Sequence, residues 1–103
     1  MNTPFVLTPR AEQDLDEIWE YIAADKIDAA DRVLDKIAET FEHLAQTPGI
    51  GQYREDLADQ RHRFHLVHSY LIVYRWETKP LQIIRILHVA RDVQAILNPG
   101  AVQ

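Results

Sequence analysis

Apolar residues follow two rhythms along this chain, and the change from one to the other lays out its elements. Ala11, Leu15, Ile18, Trp19 and Ile22 recur at helical spacing, with Glu12, Asp14, Asp16, Glu17 and Glu20 on much of the remaining circumference. That spacing predicts an amphipathic helix over residues 9–24, opened by Thr8 as N-cap and Pro9 at the first helical position. A second stripe, Ala30, Val33, Leu34, Ile37, Phe41 and Leu44, predicts a helix over 28–46 with Asp28 as its cap, stopped by Thr47-Pro48-Gly49. So short a connection makes the two an antiparallel hairpin, each with an apolar face to cover. Pro4 to Leu7 reads as a short strand ahead of them.

Beyond a loop over 48–62, anchored by Tyr53 and Leu57, the period falls to two. Tyr70, Ile72, Tyr74 and Trp76 alternate with Leu71, Val73, Arg75 and Glu77. After a turn at Thr78, Lys79 and Pro80 comes the run Leu81, Ile83, Ile84 and Ile86, too apolar for an edge strand and so placed inside a sheet. Strands over 63–68, 70–77 and 81–88 make a meander, and Asp92 caps a short helix over 92–97 that ends at Asn98-Pro99-Gly100. The expectation is a single α+β domain over 1–103: an N-terminal strand, an antiparallel helix hairpin packed on a mainly antiparallel β-sheet, and a short C-terminal helix.

Composition narrows the classes. No cysteine is present, which excludes a disulfide framework and thiolate chemistry and fits a reducing cytoplasm. No apolar run is long enough to span a bilayer, and the N-terminus lacks the basic start and apolar stretch of a signal peptide. The net charge of −5 hides a division. Residues 1–60 carry five Lys or Arg against fourteen Asp or Glu, whereas 61–103 carry six against two and four of the five histidines. Overall acidity works against direct nucleic-acid binding, which relies on many cations displacing counterions, but leaves room for a basic surface on the sheet half.

Candidate chemistry gathers late in the chain. Arg85 interrupts the most apolar strand, and His88 and Arg91 follow it, a cluster suited to an anion or a partner's carboxylates. Two readings of Arg85 stay open: a structural partner for an acid such as Asp92 or a loop carboxylate, or a target-binding group. His62, His65 and His68 invite a metal site, yet strand alternation puts His65 on the opposite side from the other two, so no metal is expected. Tyr70, Tyr74, Trp76 and Trp19 are read as core covered by the hairpin rather than as stacking platforms. Gly49-Ile50-Gly51 lacks the lysine and the strand-to-helix setting of a phosphate loop. The acids of the helices are read as a solvated surface, a minority of which can meet Lys or Arg on a partner.

The order of elements, with LTPRAEQDLDEIWEYIA, FEHLAQTPGIGQYREDL, RFHLVHSYLIVYR and RILHVARD, resembles the ParE branch of the RelE/ParE toxins of bacterial toxin–antitoxin modules, from Phe5 to Leu97. The resemblance implies a cytoplasmic toxin without cofactors, wrapped and neutralised by a cognate, ParD-like antitoxin. ParE-like members inhibit DNA gyrase by binding, with Arg85, His88, Arg91 and the last helix as the target contacts this implies. RelE-like members cleave messenger RNA on the ribosome; here that chemistry would fall to Arg85 and His88, with Arg54, Arg61 and Arg63 adding charge. The lysines that many nuclease members carry before the second strand have no counterpart between Gly49 and Phe64, which favours gyrase inhibition. A degenerate toxin that only binds its antitoxin is the third reading.

Overall fold

A computed structural model describes residues 4–54, 56, 61–90 and 93–97. Along the chain run β1 (Phe5–Leu7), α1 (Pro9–Ala23), α2 (Ile27–Gln46), a 3₁₀ turn (Pro48–Ile50), β2 (His62–Val67), β3 (Tyr70–Arg75), β4 (Leu81–His88) and α3 (Val93–Leu97). The strand order is β1-β4-β3-β2, antiparallel except for β1, which lies parallel to β4. The apolar β4 therefore sits inside the sheet, between β1 and β3. Leu57 and Asp92, expected as a loop anchor and a helix cap, lie outside the described residues.

Local chemistry accounts for the helix ends. The Thr8 hydroxyl accepts from the Ala11 N–H at 3.0 Å and donates to the Ile84 carbonyl at 2.8 Å, capping α1 and tying its first turn to the sheet. α2 departs from expectation, because Lys26 rather than Asp28 holds the N-cap position and makes no side-chain cap bond. The hairpin turn is so tight that helical backbone starts at Ile27, which moves Asp28 into the first turn, where its charge opposes the positive end of the helix dipole.

The sheet has a core on each side. Ile37, Phe41 and Leu44 of α2 and Ala11 and Ile18 of α1 meet Tyr70, Ile72, Tyr74, Ile83 and Ile86 on one side; Phe64, Val73, Leu87 and Val93 cluster on the other. Both sides stay apolar because β4 carries a bulge: Val73 faces Arg85 while Tyr74 faces Ile83, leaving Ile84 as the extra residue. Two aromatic expectations change. Trp19 is 36% exposed and donates its indole N–H to Asp31 at 2.9 Å, so it clasps α1 to α2 at the surface instead of filling the core. Trp76 lies past the end of β3, in the turn that follows, half-buried against the helix-side core.

Candidate functional site

β1 ends at Leu7, yet β4 continues for five residues beyond the last β1 partner, Ile83. Its edge there needs other hydrogen-bond partners. Helix α1 supplies them. The Thr8 N–H donates to the Ile83 carbonyl at 3.1 Å, its hydroxyl serves Ile84, and Asp14 Oδ2 accepts from the Ile86 N–H at 3.0 Å. The same carboxylate takes Arg85 as a fork, Nε to Oδ2 at 2.8 Å and Nη2 to Oδ1 at 3.1 Å. Asp14 is 3% exposed. Burying a carboxylate so fully is costly unless its lone pairs are filled, and three donors from one short stretch of strand fill them.

One expectation is corrected by this arrangement and one is filled in. Asp14 does not belong to the solvated acidic face, and among the described residues the acid that Arg85 pairs with is this helix residue, 71 positions earlier. A signal was present: Asp14 lies three residues after Ala11 and four before Ile18, on the same buried row. The committed donors leave Arg85 as a positioning group that holds β4 against α1.

His88 closes the strand. Its Nδ1 accepts from the Ala90 N–H at 3.0 Å, and its ring meets Tyr70 edge-on with centroids 5.2 Å apart. In the tautomer selected by that bond, Nε2 carries the proton and remains a donor. His88, Tyr70, Ile86, Ile18, Glu17 and Tyr21, together with Asp14 and Ala90, line a groove of about 460 Å³ between α1 and the sheet. Tyr21 stands 79% exposed at its lip. Burial, with Tyr21 nearby as a smaller cause, pushes the Tyr70 phenol above its ordinary value. Arg91, expected beside His88, lies outside the described residues.

Arg54, Arg61 and Arg63 are not brought to this groove. β2 begins at His62, opposite Arg75 and the start of β4, whereas His88 pairs with Tyr70 at the other end. The six steps from Gln82 to His88 span roughly 20 Å at strand rise. Arg63 lies over the Tyr53 and Trp76 rings, 4.2 and 4.8 Å from their centroids, and donates Nη1 to the carbonyls of Gly49 (3.1 Å) and Gly51 (2.7 Å). Tyr74 completes this knot, donating to the Pro48 carbonyl at 2.7 Å and accepting from the Gly51 N–H at 2.9 Å. A Cβ on Gly51 would overlap the Tyr74 hydroxyl, so the close approach requires glycine there. Arg54 pairs with Asp56 at 2.9 Å, which raises the arginine and lowers the carboxyl, and Arg61 sits exposed just before β2. Among the described residues no group of three or more His, Cys, Asp or Glu is placed to hold a metal ion, and no helix is long and apolar enough to cross a membrane.

Comparison with known proteins gives concordant results. A family profile described as the ParE toxin of the type II toxin–antitoxin system parDE matches residues 5–93. The chain is 33% identical over 96 residues to Toxin ParE1 of Caulobacter vibrioides, covering 92% of this chain and 98% of that relative. A solved structure titled as a chromosomal ParDE system from P. aeruginosa superposes with a TM-score of 0.68 over 82% of this chain and 92% of the other, at 24% identity, a likeness of fold.

Proposed function

The chain belongs to the ParE toxin family of type II toxin–antitoxin systems, and from that membership we propose that it arrests bacterial growth by binding DNA gyrase in the cytoplasm and is neutralised by a cognate antitoxin. Binding, not phosphodiester cleavage, is the action that the site favours. The observation carrying this choice is the fork between Arg85 and Asp14. A guanidinium held by a buried carboxylate has its charge balanced and two of its five N–H donors committed, which suits it poorly to stabilising a pentavalent phosphate. Beside it the groove offers Glu17, which repels a phosphodiester, while Arg61 and Arg63 lie at the far end of the sheet. His88, with Nε2–H left to donate, Arg91 and the α3 end are the proposed target contacts; Arg85 acts through the strand it positions.

The test is supercoiling by purified gyrase with the folded toxin added. Loss of supercoiling at stoichiometric toxin is expected, with partial relief in His88→Ala. Full supercoiling at large molar excess of toxin removes gyrase as the target. Codon-linked cuts in translated messages, abolished by His88→Ala with folding intact, would establish the ribonuclease reading in its place.

A further inference from the structure

The β2–β3 hairpin turns on two residues, His68 and Ser69, between the paired Val67 and Tyr70. A loop that short asks for positive φ at its first position, where glycine, asparagine and aspartate are the low-cost residues. His68 holds φ at 53°, and among the described residues no other, glycine included, has positive φ. A side chain there crowds the backbone, a steric cost that glycine avoids. Nothing local offsets it. The imidazole is exposed and, among the described residues, makes no hydrogen bond or ion pair. Strain held without a local gain points to a contact made outside the chain.

The turn lies at the end of the sheet that holds His88. Tyr70, which closes the turn, pairs with His88, and the Ser69 carbonyl accepts from the Val89 N–H at 2.8 Å, fastening the turn to the chain that leaves β4. Leu66 and Val89, 59% and 47% exposed, line one groove of about 480 Å³ at this end. A donor held on so fixed a turn beside uncovered aliphatic surface loses little freedom on binding. Resting on the toxin reading above, we propose that His68 is a contact residue for the toxin's target. Its imidazole, a donor in either charge state, meets an acidic side chain there while Leu66 and Val89 meet an apolar one. The acid follows from the charge of this half of the chain, six Lys or Arg against two Asp or Glu over residues 61–103. His68 thus extends the contact proposed for His88 across the strand ends to the hairpin tip.

The experiment uses substitutions that remove the imidazole and suit the backbone better. His68→Gly and His68→Asn both accept positive φ, so a contact role and a structural role predict opposite changes in stability. The purified full-chain variants are melted in urea, titrated into a gyrase supercoiling assay, and induced in cells at matched levels to score growth arrest. Each is expected to keep or raise the urea midpoint while needing about tenfold more toxin for half-inhibition and arresting growth more weakly. His68→Glu, which sets a like charge against the acid, is expected to need about a hundredfold more. Wild-type inhibition and arrest by His68→Gly overturn the proposal. So does weaker inhibition joined to a lower urea midpoint in both variants, since the imidazole then serves the fold. His68→Glu no weaker than His68→Gly overturns the acidic partner. Wild-type toxin that arrests growth but leaves supercoiling intact defeats the gyrase reading instead, and the arrest scores of the same variants still decide the role of His68.

Discussion

Arg85 and Arg63 sit at opposite ends of one sheet and are settled by opposite means. Arg85, with 12% of its side chain exposed, is balanced by a formal countercharge, the Asp14 carboxylate, which also finishes the hydrogen bonding of the β4 edge. Among the described residues Arg63 is held without an acid, by two aromatic rings and two loop carbonyls. Polarisable rings and carbonyl dipoles suffice for a cation that still touches water, whereas one drawn against a helix needs a full opposite charge. The two ends should therefore fail differently. Removing a partner at the Arg85 end strands a buried charge; removing one at the Arg63 end only loosens a loop.

The largest effect is expected from splitting the charged pair. Asp14→Ala leaves Arg85 unpaired and the Ile86 N–H unsatisfied, and Arg85→Ala leaves a buried carboxylate, each at a cost of about 3–5 kcal/mol. Replacing both at once, Asp14→Leu with Arg85→Met, should recover most of that loss, since an apolar pair avoids desolvating two ions. Urea melts of the four proteins decide it. A double variant no better than the singles would show that the Ile86 N–H, not the ion pair, is the costly loss.

How much of this was legible beforehand differs between the ends for the same reason. The elements follow from local patterns: Thr8-Pro9 for the start of α1, alternation for β3, a mostly apolar, β-branched run for β4. Arg85 stood out because a charge inside an apolar run must be explained. Its partner was harder, since 71 residues separate the two and only the helical phase of Asp14 with Ala11 and Ile18 hinted at burial. Of the Arg63 knot only Tyr53, expected as a loop anchor, gave a signal. The knot depends on a loop folding back to pair Gln52 with Phe64, and on Trp76 leaving its strand to lie under the guanidinium, neither of which any periodicity records.

At the Arg63 end, Gly51→Ala drives a methyl group into the Tyr74 hydroxyl and should cost about 1–3 kcal/mol by overpacking. Tyr74→Phe is expected to follow, at about 1–3 kcal/mol, by stranding the buried Gly51 N–H. Combining them should cost less than the sum, because the phenylalanine gives the methyl group room; strict additivity would place the strain elsewhere. Arg63→Ala comes next, about 1–2 kcal/mol from lost stacking and carbonyl bonds. Its hydrogen exchange should rise over Gly49–Gln52 while Ile86 stays protected, the reverse of the pattern in Asp14→Ala. Similar exchange in the two variants would erase the distinction between the ends.

The smallest effect tests the ground between them. His65 pairs with Ile72 midway along the sheet, half-buried, and burial first, then the nearby His43, holds its imidazole below the ordinary value of 6.5. A base whose folded value is depressed takes up its proton more readily when unfolded. Its contribution is therefore present above 6.5 and lost as the pH falls through the folded value. Asp56, held below 3.8 by Arg54, fails only in stronger acid, whereas the His65 loss begins at 6.5. The urea midpoint should decline as the pH drops from 7 towards 5, and His65→Gln should flatten that decline without altering the acid limb below it. An identical slope in His65→Gln would assign the loss to another histidine and leave the middle of the sheet as insensitive to protons as the apolar strand beside it.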